Sequence, residues 1–212
     1  MLFRIKTKIR RKINVAFGFD RPSSYPLISG DSFRCLAQHM FDEISDMDPE
    51  NVEKNDIVFV RSDFLKDFFE NKHLHIKNEY ILISHNDDTN IDASYVTFID
   101  EKIIHWFTQN LLFKHPKVTP IPIGLQNFRY HHIGKLNYFD QKNIVKDKEF
   151  SIKYGFSMLS GKERILAEKN LSENNLAKKI EVKNQDDYME MVKKSYYISA
   201  KRSGLRLCGS AT

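Results

Sequence analysis

Residues 80–88 read YILISHNDD. Tyr80-Ile81-Leu82-Ile83 is an apolar run of the length of a buried strand, and Ser84-His85-Asn86-Asp87-Asp88 closes it with polar, turn-forming residues. Upstream, Asp56-Ile57-Val58-Phe59-Val60 is a run of the same kind. It leads into a helix carrying Phe64, Leu65, Phe68 and Phe69, with Ser62 placed to cap it. Strands alternating with helices of this size predict an α/β fold with a parallel sheet covered on both faces. Ligands of open α/β sheets bind outside the carboxyl ends of the strands, which singles out residues 84–88.

Working outward, residues 18–30 (GFDRPSSYPLISG) are rich in Pro, Gly and Ser and read as irregular. Phe33, Leu36, Ala37, Met40, Phe41 and Ile44 then recur at helical spacing, predicting a helix capped by Ser29 or Asp31 and finished before Pro49. Asp100 is placed to cap another helix through Ile103, Ile104 and Phe107. Residues 111–113 (LLF) suit a small strand. Residues 118–123 (VTPIPI) hold too much proline for a central strand and predict an extended edge segment. Residues 128–148 are polar and without a period, as expected of a connector. A second alternation follows: strand 150–157, helix 161–169, strand 180–183, helix 186–194 and strand 195–199.

The chain has 212 residues, a net charge of +5, 41% hydrophobic and 29% charged residues, a globular composition. No run approaches the roughly 18 apolar residues of a membrane span. Cys35 and Cys208 are its two cysteines, which fits a reducing, cytoplasmic setting rather than a disulfide framework. The positive charge sits at the ends. Arg4, Lys6, Lys8, Arg10, Arg11 and Lys12 precede any acid, and Lys201, Arg202 and Arg206 follow the last one. The stretch between is slightly acidic, which argues against a nucleic-acid partner, whose binders carry a basic folded face. Residues 1–19 form a basic amphipathic segment without the apolar core of a signal peptide. Residues 1–13 suit peripheral contact with the inner face of a membrane; the competing reading is a solvated terminus.

At 84–88, His85 can accept or donate a proton and Asp87 or Asp88 can serve as a base toward a hydroxyl; the alternative is a plain Asn/Asp turn. At 29–34 (SGDSFR), Gly30 allows close approach and Arg34 can hold an anion; the alternative is capping, with Arg34 paired to an acid. Trp106 fits core packing better than a sugar platform. His73/His75 and His131/His132 lack metal-ligand spacing. Dinucleotide, P-loop and hydrolase-elbow motifs are absent.

Taken in order, the strings ISGDSFR (28–34), FDE (41–43), DIVFVRSDFL (56–65), YILISHNDD (80–88) and KIIHWFTQNLLFKHPKVTPIPIGLQN (102–127) resemble bacterial and viral exostosin-like glycosyltransferases. The resemblance covers roughly residues 25–199, and 102–127 is its most specific part. It implies a GT-B-like enzyme with two Rossmann-like domains: an acceptor side at 20–145 and the start of a donor side at 146–199. It implies transfer of a sugar from a nucleotide-sugar donor to a glycan acceptor in surface-polysaccharide synthesis, with no metal requirement. The residues it marks are Asp31, Asp87 and His85 for catalysis, with Gly30, Arg34, Asn86, Trp106, Asn110 and Gly124 toward the substrate. A glycan-binding or membrane-surface protein without transferase activity is the alternative.

The family continues after its strand corresponding to 195–199 with a pattern like S-P-x-G-x-G-x-D-C-H-R-x-W-E. Residues 200–212 read AKRSGLRLCGSAT instead. Codons for this tail, read one base out of phase, can encode P-K-G-A-G-L-D-C. The expectation is therefore a frameshifted tail, a donor domain cut short, and an inactive product.

Overall fold

The computed structural model describes residues 21–130, 137, 149–154, 162–181, 184–201 and 204–207. The basic segment 1–19 and nearly all of the connector 131–148 lie outside them. The chain divides into two compact units, Met1–Gly134 and Lys135–Thr212, somewhat before the expected boundary at 145/146.

The first unit is an α/β fold built on a five-stranded parallel sheet, compatible with a Rossmann-like arrangement. Its strands are β1 (His39–Phe41), β2 (Ile57–Arg61), β3 (Tyr80–His85), β4 (Ile103–Thr108) and β5 (Val118–Pro120), paired in that order. The register sets Val58 beside Leu82 and Leu82 beside Trp106, so one face of the sheet is a continuous apolar row. Helix α1 (Gly30–Arg34) precedes β1, and α2 (Leu65–Asn71) connects β2 to β3. Phe64, Leu65, Phe68 and Phe69 of that connection pack with Val58, Val60, Leu82 and Trp106 in one core. Phe59 and Ile83, on the opposite face, are buried as well. Each such side chain contributes about 1.5–3 kcal/mol relative to exposure.

Three expectations for this unit are overturned. The helix predicted over 33–44 ends at Arg34, and residues 39–41 form β1, parallel to β2. Pairing with β2 supplies backbone partners and buries Phe41, while Leu36, on the supposed apolar stripe, stays exposed. The helix predicted after Asp100 is β4, whose β-branched and aromatic residues suit a pleated surface. Asp100 Oδ1 accepts from Lys102 N–H in the turn that opens the strand. Ser62 begins a 3-10 turn, Ser62–Phe64, and provides no side-chain cap to α2. Among residues 111–113, Leu111 makes an isolated bridge with Ile91. The extended edge at 118–123 is found as β5.

The second unit has a four-stranded sheet in the order β7-β6-β8-β9: β6 (Glu149–Tyr154), β7 (Ala177–Lys179), β8 (Ser195–Lys201) and β9 (Gly204–Leu207). Helices α3 (Lys162–Ser172) and α4 (Gln185–Lys194) alternate with the strands, but the strand expected near 180–183 lies earlier, at Ala177–Lys179, where it pairs with β6. Gly204–Leu207, from the tail, pairs antiparallel with β8. Among the described residues no helix is long and apolar enough to cross a membrane.

Candidate functional site

A cleft of about 360 Å³ opens at the carboxyl ends of β3, β4 and β5. Strands β3 and β4 finish alike. Ser84 and Thr108 are register partners, His85 and Gln109 follow, and Asn86 and Asn110, just past the strand ends, stand at φ 68° and 52°. Asparagine tolerates this left-handed region better than most residues, so both chains turn abruptly at the cleft. Gln109 Nε2 and Asn110 Nδ2 donate to Asp87 C=O, which ties the two turns together.

The floor is a closed ring of polar groups. Asn86 Nδ2 donates to Asp31 Oδ1 at 2.9 Å, Asn127 Nδ2 donates to Asn86 Oδ1 at 3.0 Å, and Asp31 N–H donates to Asn127 Oδ1 at 2.8 Å. A carboxylate only accepts and a backbone N–H only donates, so both amides have one possible orientation. The ring joins α1, the end of β3 and the segment after β5. Gly30 makes it possible: a Cβ at this position would collide with Asn86 Oδ1 and His85 Nδ1. Gly124, at φ 71°, lets the segment after β5 run against Ile28, where Leu125 N–H donates to Ile28 C=O.

His85 has a fixed protonation pattern. Asn86 N–H donates to Nδ1 at 2.8 Å, so Nδ1 is bare, and Nε2 donates to Pro122 C=O at 3.1 Å. With both ring nitrogens engaged, His85 orients the cleft wall. Asp31 is fully buried. Its Oδ2 lies 3.1 Å from Arg129 Nε and its Oδ1 3.9 Å from Arg21 Nη1, so it anchors two guanidinium groups. Neither residue has the access expected of a catalytic group. Asp87 does border the cleft. Its Oδ1 accepts from Thr89 N–H and hydroxyl, and its Oδ2 lies 3.5 Å from Arg61 Nη2.

Other sequence-marked residues are elsewhere. Arg34 Nε donates to Asp42 Oδ2 at 2.6 Å and Nη2 to Ser45 Oγ at 2.7 Å, which makes it an internal brace. Burial pushes the Asp42 carboxyl up. The Arg34 charge and hydrogen bond, with the N–H of Ile44, outweigh that and hold it below its ordinary value. Trp106 is fully buried, donates from Nε1 to Ser84 Oγ at 2.9 Å and offers no ring face to a ligand. Asn110 and Gly124 shape the backbone around the cleft. Gly30, His85, Asn86 and Asp87 line it directly.

Sequence reasoning missed Gln109, Asn127, Arg129 and Tyr130, which also line the cleft. Reading 103–107 as helix hid Gln109; taken as a strand, the same residues put Gln109-Asn110 at a carboxyl end beside His85-Asn86. Behind the wall, Glu43 receives three guanidinium groups: Arg21, Arg129 at 3.6 Å and Arg61 at 3.2 Å. Arg21, deeply buried, has its pKa lowered to about 10 by desolvation and by the nearby Arg129 charge. Among the described residues no group of three or more His, Cys, Asp or Glu is arranged to hold a metal.

No protein-family model matches the chain, and no curated protein is significantly similar to it.

Proposed function

We propose that this cleft binds a polyhydroxylated ligand and that residues 21–130 are the acceptor side of a GT-B-type, exostosin-like glycosyltransferase of surface-polysaccharide assembly. The observation that carries the reading is the lining at the carboxyl ends of the strands. The amides of Asn86, Gln109 and Asn127, the carboxylates of Asp87 and Asp88, and the ring of Tyr130 meet there. Sugar hydroxyls donate and accept at once, and carboxylates and amides satisfy both demands. Its size falls at the lower end of the roughly 300–1,000 Å³ of small-molecule sites. In the transfer step, Asp87 or Asp88 takes the proton of the acceptor hydroxyl as its oxygen attacks the anomeric carbon and the nucleoside diphosphate leaves. Assignment of the donor nucleotide to the second unit rests on the sequence resemblance alone.

The test is saturation-transfer NMR of the full chain against a panel of mono- and oligosaccharides. At least one sugar is expected to bind, with affinity lowered roughly three- to tenfold in Gln109→Ala through loss of a hydrogen bond. Absence of binding across the panel overturns the reading. The engagement of both His85 nitrogens and the burial of Asp31 favour a second reading, glycan recognition without transfer. Incubation of a bound sugar with radiolabelled nucleotide sugars separates the two: label in the sugar supports transfer, and binding without label supports recognition alone.

A further inference from the structure

Among the described residues lining the cleft, Arg129 is the one cation. Its guanidinium is held from behind. Nε lies 3.1 Å from buried Asp31 Oδ2, Nη1 lies 3.6 Å from Glu43 Oε1, and the group sits 4.8 Å from the centre of the Tyr130 ring. Among the described residues none of its three nitrogens makes a hydrogen bond. The side chain retains about a quarter of its exposure. Both carboxylate contacts are ion pairs without a hydrogen bond, so a guanidinium placed over a ring at the edge of the cleft keeps its donors for an oxygen anion.

The groups behind it carry charges of both signs. Arg21, Arg61 and Arg129 converge on Glu43, while Asp31 also lies against Arg21 and Arg129, and Asp63 and Asp87 against Arg61. Buried Arg21 Nη1 makes no hydrogen bond and is 3.9 Å from its nearest carboxylate oxygen on Asp31. Burial is the first cause of its lowered pKa and the Arg129 charge the second, against the opposing pull of Asp42 and Asp31. Asp87 and Asp88 also line the cleft and would repel an anion placed near them. An anionic group is thereby confined to the Arg129 side, leaving the hydroxyls to the carboxylates and amides.

We infer that the cleft selects a sugar bearing an oxyanion, a carboxylate or a phosphate, and that Arg129 is the residue that binds this group. The inference rests on the glycan reading above and adds the ligand's charge to it. Isothermal titration of the full chain with methyl glucoside, methyl glucuronide and glucose 6-phosphate tests it. One of the two acidic sugars is expected to bind at least roughly tenfold more tightly than the neutral one, the size of a charge-assisted hydrogen bond. Which acidic sugar wins distinguishes carboxylate from phosphate. The preference should collapse in Arg129→Gln and be partly kept in Arg129→Lys, with circular dichroism confirming that each variant folds. In the unmodified chain, inorganic phosphate should compete with the acidic sugar. Equal affinities for neutral and acidic sugars, or a preference that survives Arg129→Gln in a folded protein, overturns the inference while leaving the glycan reading intact. Failure of every sugar, neutral panel included, overturns both.

Discussion

Each end of β3 meets a buried histidine with both ring nitrogens engaged, His73 against its amino end and His85 at its carboxyl end, and puts it to different use. At the amino end, Tyr80 hydroxyl donates to His73 Nδ1 at 2.7 Å, and His73 Nε2 donates to Asp100 Oδ2 at 3.0 Å. The Asp100 carboxylate only accepts, which puts the proton on Nε2 and leaves Nδ1 for the Tyr80 hydroxyl, whose pKa burial holds well above its ordinary value. Phe68 and Phe69 pack on the His73 ring, and Lys102 and Lys117 donate to the carbonyls of His73 and Asp100. At the carboxyl end, His85 is equally fixed, but its neighbours are the Asp31–Asn86–Asn127 ring and an open cleft. A hydroxyl, an imidazole and a carboxylate in line do not by themselves make a catalytic site. The amino-end chain buries Tyr80 and His73 in the core and leaves its Asp100 carboxylate partly exposed away from the cleft, whereas the carboxyl-end network leaves amides and carboxylates facing ligand space.

This contrast predicts a separation of effects. His73→Ala removes one buried and one part-buried hydrogen bond and the contacts with Phe68 and Phe69, and should cost about 3 kcal/mol of stability. Sugar binding by the fraction still folded should stay within about twofold of the parent, since the change lies at the far end of the strand. Urea unfolding measures the first and titration the second. A loss below about 1 kcal/mol, or a large fall in affinity with little loss of stability, would erase the distinction between the two ends.

Gly30→Ala strikes the opposite end. The new Cβ displaces the Asn86 amide and the His85 ring, breaking the polar ring at the floor of the cleft. A stability loss of about 1–3 kcal/mol is expected from the overpacking. The affinity for any sugar should fall further than in His73→Ala, although the stability loss is no larger. Alanine at position 30 with parental affinity would mean that the floor network does not shape the cleft.

The same contrast explains what the sequence discloses. Apolar runs at 57–60 and 80–83 have no helical alternative of comparable quality, so β2, β3 and the carboxyl-end position of His85-Asn86-Asp87 were legible. At 33–44 the spacing of Phe33, Leu36, Ala37, Met40 and Phe41 fits a helix. What decides the outcome is distant in sequence: β2 offers a pairing edge to His39–Phe41, and the Arg34–Asp42 pair fixes the bend between. Local periodicity does not encode a strand partner. At 103–108 the reverse applies, because Ile103, Ile104, Trp106 and Phe107 had strand-like composition that the spacing argument underweighted. The roles of Asp31 and His85 were illegible for another reason. Their residue types suit catalysis, and only the partners brought in from Asn127, Arg129 and Pro122 reveal that they are already committed.

The smallest effect concerns protons. Burial lowers the His73 pKa below its ordinary value of 6.5, against the opposing pull of the Asp100 carboxylate. Between 6.5 and the lowered native value, the unfolded chain binds more protons than the folded one, so stability must fall as pH falls through that window. Above 6.5 both states carry neutral His73 and its contribution is flat; below the native value both are protonated and it is flat again. Urea midpoints measured from pH 7.5 down to pH 5 should therefore decline, and His73→Ala should decline less steeply than the parent. His85→Ala, which leaves His73 in place, should retain the parental contribution of His73 to that decline. If the parent and His73→Ala show the same slope, the amino-end chain does not exclude the proton, and the sealed character assigned to that end of β3 is wrong.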